Sequence, residues 1–139
     1  MSTERPHCLV IGVGPGTGLA CVRRFVSDGY TVSMTARHEG RLASWAGEIA
    51  NTVAYPSDIT NLEDFRASLE CIKAEQGVPK VIIYNASLAT FAPYSELDPA
   101  DFERNFRANT TGLLVTAQVF GPDMVAAGGG ALIITGNTS

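Results

Sequence analysis

Four glycines fall within seven positions, Gly12, Gly14, Gly16 and Gly18, in the stretch IGVGPGTGLA at residues 11–20. Each glycine inside an element weakens it by roughly 0.5–1 kcal/mol relative to alanine, so such a cluster calls for a use of bare backbone. At a strand-to-helix junction that use is anion binding. The first N–H groups of a helix lack intrahelical acceptors, and the helix dipole adds partial positive charge there. A P-loop is excluded because the turn holds no lysine, and GxGxxG fails because its third slot falls on Thr17 or Leu19. The spacing that fits is GxxxGxG on Gly12, Gly16 and Gly18. In that frame Gly12 permits a tight exit from the strand, Gly16 lets a pyrophosphate approach the backbone, and Gly18 lets the helix pack closely. Thr17 could add a hydroxyl to the phosphate, and Pro15 stiffens the turn. A glycine-rich turn used only for packing is the alternative.

A dinucleotide bound there would place its adenosine ribose at the end of the second strand. An acidic residue at that point holds a 2′-hydroxyl, whereas an arginine accepts a 2′-phosphate. The sequence TVSMTARHEGRL puts Ala36 in the acidic slot and Arg37 after it, which favours NADP, with NAD still possible. Arg37 as a plain solvated charge is the competing reading, and Glu39 could still reach a ribose. His38 has no evident partner and reads as a surface residue. Farther on, Phe102, Phe106, Leu113 and Phe120 recur at helical spacing, with Asn109 on the same apolar stripe. An amide buried there requires backbone carbonyls or ordered water as partners, because leaving it unsatisfied costs about 1–3 kcal/mol. It is either a structural polar plug or part of a proton relay.

The elements that must hold these residues are legible from periodicity. Residues 8–13, 31–35, 52–55, 80–84 and 131–135 read as strands, two of them (CLVIGV and KVIIY) almost continuously apolar, as in strands covered on both faces. Helical patterns occupy 17–28, 38–50, 61–76 and 98–127, and a loop spans 85–97. Asn61 before Asp64, and Asp98 before Pro99, mark helix starts. Gly121-Pro122 predicts a kink or break in the last helix, and residues 128–130 a turn. Such alternation predicts an α/β fold of βαβ units on a parallel sheet.

In order along the chain stand GxxxGxG after the first strand, Asp58 after the third (YPSDIT), Asn85-Ala86 after the fourth (YNAS), and Asn109 in the next helix (RANTTG). With these motifs at the matching strand ends, the chain resembles the short-chain dehydrogenase/reductase family over its whole length. The resemblance implies a Rossmann-like doubly wound sheet of strand order 3-2-1-4-5 that binds NAD or NADP. It further implies hydride transfer between the nicotinamide and a small carbonyl or alcohol substrate. Within it, Asp58 lies near the adenine, Asn85, Ala86 and Ser87 border the adenosine side and steady the sheet, and Asn109 holds a water in a proton relay. The helix at 98–127 is a common dimerisation element in the family, so a homo-oligomer is an expectation.

The family's catalysis uses a Tyr, a Lys four residues after it, and a Ser at the end of the fifth strand. None of Tyr30, Tyr55, Tyr84 or Tyr94 has a Lys four residues on, and the family would place that pair beyond residue 139. The Ser register falls on Asn137, with Thr138 and Ser139 as substitutes if the loop shifts. Tyr84 and Ser87 replace the first Asn and the Gly of the family's Asn-Asn-Ala-Gly. The resemblance thus implies the cofactor-binding half of an NADP(H)-dependent oxidoreductase. A nucleotide-binding module without catalysis, or a truncated pseudoenzyme, is the alternative.

Composition frames these readings. The 139 residues suit one domain spanning 1–139, and a 45% hydrophobic content suits a packed core. Net charge is −4, and no basic cluster is longer than Arg23-Arg24, which argues against nucleic acid or an anionic membrane as a partner. Cys8, Cys21 and Cys71 show no metal-ligand spacing and read as small core residues. With no signal or membrane segment at the start, a reducing, cytoplasmic setting is the default expectation. Strand 131–135, lacking further strands, would be an exposed apolar edge.

Overall fold

Alternation of apolar runs and amphipathic stretches is realised as successive βαβ crossovers. The computed structural model describes residues 4–136. The chain forms β1 (His7–Ile11), α1 (Thr17–Ser27), β2 (Thr31–Ala36), α2 (Glu39–Glu48), β3 (Thr52–Pro56), α3 (Leu62–Gln76) and β4 (Val81–Tyr84). It continues through α4 (Pro99–Phe106), a five-residue π turn (Arg107–Thr111), α5 (Gly112–Ala126) and β5 (Ala131–Ile134). All neighbouring strands are parallel, in the order β3-β2-β1-β4-β5. This is the doubly wound order that the family resemblance implies.

β1 is buried along its whole length, and its alternate side chains feed two cores. Cys8 and Val10 pack with Val32, Met34, Val22 and Leu42 beneath α1 and α2. Leu9 and Ile11 pack with Ile82, Tyr84, Phe65, Leu69 and Phe120 beneath α3 and α5. The period of two along each strand thus covers both faces, which explains why CLVI carries no polar residue. The helix starts follow their caps. The Asn61 side chain accepts from the Asp64 N–H at 3.1 Å, and the Asp98 side chain accepts from the Ala100 N–H at 2.9 Å.

Four expectations are corrected. The helix at 98–127 is not uniform, because the π turn divides it. A turn of five residues per hydrogen bond rotates everything after it relative to what came before, so the Phe102/Phe106 face and the Phe120 face do not form one stripe. Phe102 and Phe106 are 58% and 53% exposed while Phe120 is buried. Of the kink or break expected at Gly121-Pro122, the break does not occur, since α5 continues through Pro122. Pro122 is exposed and follows Gly121, whose missing Cβ relieves the clash a proline imposes on the residue before it. Finally, of the cysteines only Cys8 is fully buried; Cys21 is half-buried and Cys71 exposed, its thiol facing Glu75 one turn on. β5 presents Leu132, Ile133 and Ile134 to solvent at the sheet edge, as expected.

Candidate functional site

The glycines of the first crossover have separate physical causes. Gly12 leaves β1 at φ 85°, and the Gly12 and Val13 amides both donate to the Thr35 carbonyl, at 2.9 and 3.0 Å. A Cβ on Gly12 would stand 2.5 Å from the Ala86 backbone, and one on Gly18 would stand 2.8 Å from the Gly12 carbonyl and Val13 Cα. Backbone packs on backbone at both positions. Gly14 and Gly16 differ, because a Cβ at either meets nothing within 4 Å. α1 starts at Thr17 with Gly16 as its N-cap and no capping side chain. Leu19 and Ala20 donate to Gly14 and Gly16, but the Thr17 and Gly18 amides have no acceptor among the described residues. Unpaired donors at a helix start, beside open space at Gly16, form a cradle for an anion.

That cradle is one wall of a cleft of about 460 Å³ at the carboxyl end of the sheet. Gly12, Gly16, Thr17 and Gly18 line it on the α1 side, and Arg37, His38 and Arg41 line it after β2. Ser57 and Ile59 follow β3, and Asn85, Ala86 and Ser87 follow β4. No carboxylate lines the cleft, and neither Arg37 nor Arg41 has an ion pair or hydrogen bond among the described residues. Two guanidiniums free of hydrogen bonds and close ion pairs, with Asp58 beside the cleft as the carboxylate whose charge Arg37 feels, favour an anionic ligand. Arg41 was not read from the sequence. Arg37 precedes α2, so no helical spacing links the two residues, and only the packing of α2 turns Arg41 toward the cleft. His38 is exposed, as expected.

Asp58 stands beside the cleft rather than lining it. Its Oδ1 accepts from the Thr60 hydroxyl at 2.7 Å and the Thr60 amide at 2.9 Å. The Thr60 hydroxyl chiefly holds the Asp58 carboxyl below the usual carboxylate range, helped by the Thr60 amide and by the charges of Arg37 and Arg104. The carboxylate is therefore ionised and fixed. Asn85 reaches the cleft from β4, where its Nδ2 donates to the Gly12 carbonyl at 3.0 Å and its Oδ1 accepts from Thr135 Oγ1 at 2.8 Å. One amide ties the glycine turn to the end of β5.

Asn109 is exposed, which corrects its expected burial on an apolar stripe; the π turn carries it off that face. Its Oδ1 accepts from the Leu88 amide at 2.9 Å and its Nδ2 donates to the Leu88 carbonyl at 2.8 Å. A backbone carbonyl was one of the two partners expected. Asn109 does not line the cleft, but it grips the residue after Ser87, which does. Asn137 and Ser139 lie outside the described residues. Among the described residues, no cluster of side chains could hold a metal ion, and no helix is long and apolar enough to cross a membrane.

The family model described as short chain dehydrogenase matches residues 6–139. The chain belongs to the short-chain dehydrogenase family. It is similar to the oxidoreductase asL5 of Sarocladium schorii, at 30% identity over 132 residues, covering 94% of this chain and 53% of that protein. It is also similar to sulfoacetaldehyde reductase 2 of Chromohalobacter salexigens, at 30% identity, covering 91% of this chain and 52% of that protein. Among solved structures, serine dehydrogenase from Escherichia coli superposes with a TM-score of 0.84 at 28% identity, over 95% of this chain and 62% of that one. A metagenomic short-chain oxidoreductase in complex with NADP shares the fold with a TM-score of 0.91 at 24% identity, over 99% of this chain and 65% of that one. The chain thus spans about half the length of these two curated relatives. The strand order of this sheet reverses between β1 and β4, which places the glycine turn after β1 at its topological switch point.

Proposed function

We propose that the protein is an oxidoreductase that binds NADP(H) in the cleft at the first crossover and transfers hydride to or from a small carbonyl or alcohol. The single observation carrying this reading is the open backbone at Gly16 beside the unpaired Thr17 and Gly18 amides, a diphosphate cradle by shape and charge. In this reading the α1 amides and the Thr17 hydroxyl hold the pyrophosphate. Arg37 and Arg41 grip the 2′-phosphate, Asp58 accepts from the adenine amino group, and Asn85 and Ala86 border the adenosine. When bound, the nicotinamide supplies or accepts the hydride.

Asn109 is assigned to the proton relay. Its bonds to Leu88 use one amide hydrogen and one lone pair, so one hydrogen and one lone pair remain for a water. Asn137, with Ser139 as its substitute, is assigned to the substrate oxygen. Self-association through 98–127 belongs to the same reading and is supported by the exposed Phe102 and Phe106. The other reading of the same cleft is a nucleotide-binding module without turnover.

Fluorescence titration with NADPH and NADH tests the cofactor assignment. NADPH should bind at least about tenfold more tightly, since one charged hydrogen bond contributes about 1.5–3 kcal/mol. Arg37→Ala and Arg41→Ala should each erase most of that difference by weakening NADPH alone. Equal affinities in the parent protein would remove NADP as the preferred cofactor. Turnover of a carbonyl substrate with NADPH separates the enzyme from the binding module.

A further inference from the structure

The Tyr84 hydroxyl has no part in the cleft, yet it makes one of the most buried polar contacts in the protein. Tyr84 closes β4, is 2% exposed, and donates to the Ala108 carbonyl at 2.5 Å, 24 residues away. Ala108 lies in the π turn. There the Gly112 amide reaches back five residues to the Arg107 carbonyl instead of four to Ala108. The widened turn thus takes from the Ala108 carbonyl its ordinary α-helical donor, and the phenol donates to it from the sheet side.

The surroundings leave the phenol one place to go. A Cβ on Gly112 would collide with the Tyr84 hydroxyl and with the Ile59 side chain, so the absent side chain at Gly112 creates the slot. Ile59 is itself a cleft-lining residue. One residue beyond Ala108, Asn109 clamps both backbone groups of Leu88, next to cleft-lining Ser87. Tyr84, Ala108, Asn109 and Leu88 therefore form a continuous path from the sheet core to the segment that follows β4.

We propose that Tyr84 is a positioning residue. Its hydroxyl fixes the π turn in the widened state, and that state delivers Asn109 to Leu88 and sets the backbone at the mouth of the cleft. The role in the reaction rests on the reading given under Proposed function, that Asn85 and Ala86, just ahead of the gripped Leu88, border the bound cofactor. The mechanical link from Tyr84 to Leu88 does not.

Hydrogen exchange by NMR on ¹⁵N-labelled protein separates the two. Tyr84→Phe keeps the ring in its apolar cluster and removes only the donor. The expected result is a Leu88 amide that exchanges about five- to tenfold faster, as the loss of one modest hydrogen bond implies. The Asn109 side-chain amide signals should shift as well, while β1 and β2 amides keep their protection. A merely structural phenol gives the opposite pattern: global stability falls, but Leu88 exchange relative to the global rate and the Asn109 signals stay as in the parent. That pattern overturns the proposal. Should Tyr84→Phe fail to fold, the parent protein still decides. A slowly exchanging Tyr84 hydroxyl proton with contacts to the Thr111 and Gly112 amides supports the lock, and its absence overturns it. Failure of NADPH to bind, with the Leu88 response intact, would sink the cofactor reading and leave the positioning link standing.

Discussion

The Asn85 side-chain amide donates to the Gly12 carbonyl across 3.0 Å, joining the end of β4 to the residue at which β1 turns toward α1. The same amide accepts from Thr135 beyond β5. Three strand ends thus share one side chain, and the shape of the glycine turn depends on it. Asn85→Ala should lower stability by about 1–3 kcal/mol, because it strands a half-buried carbonyl. Thr135→Val removes the outer bond together with the long 3.4 Å bond of the same hydroxyl to the Tyr84 carbonyl, leaves the Asn85–Gly12 bond in place, and should cost about 0.5–1.5 kcal/mol. Urea denaturation of both variants checks the order, and a larger effect at Thr135 would contradict it.

Gly12 and Gly14 sit two residues apart in the same turn but are constrained differently. Gly12→Ala forces a left-handed backbone at about 1–2 kcal/mol and pushes a methyl against the Ala86 backbone, adding about 1–3 kcal/mol more. A total loss of about 2–5 kcal/mol is expected. Gly14→Ala meets open space and should leave thermal stability within about 0.5 kcal/mol. Parallel melting curves make the comparison.

His7 lies buried at the start of β1, bonded to Ser33 Oγ at 2.7 Å and to the Gly77 carbonyl at 3.0 Å. Burial lowers its pKa below 6.5, partly offset by the Gly77 carbonyl, so the folded state favours the neutral ring. Below about pH 6.5 the unfolded chain binds the proton first, and the His7 contribution is lost as pH falls toward the depressed folded value. Melting temperature should therefore drop between pH 7.5 and 5.5 more steeply in the parent than in His7→Asn, whose side chain does not titrate. Parallel slopes would contradict this.

The strand order follows only from the family resemblance carried by the motifs at the strand ends, whereas the parallel sheet is legible because burial on both faces imposes continuous apolar runs on β1 and β4. The caps at Asn61 and Asp98 were legible for the same local reason. The π turn was not, since no residue in RANTT announces a five-residue step, and without that step Asn109 falls on the wrong face. Arg41 and Cys71 depended on which side of a helix meets the sheet, which α2 and α3 settle only through packing. The Tyr84–Ala108 and Thr135–Asn85 bonds join residues 24 and 50 positions apart, beyond the reach of any local pattern.

The anion cradle at the first crossover is tested most directly by titrating Gly16→Asp with NADPH. A Cβ at this position meets nothing within 4 Å, so the variant should melt as the parent does. A carboxylate beside a bound diphosphate adds like-charge repulsion of several kcal/mol, and affinity should fall at least about a hundredfold. A folded Gly16→Asp protein that holds NADPH as tightly as the parent would contradict the account.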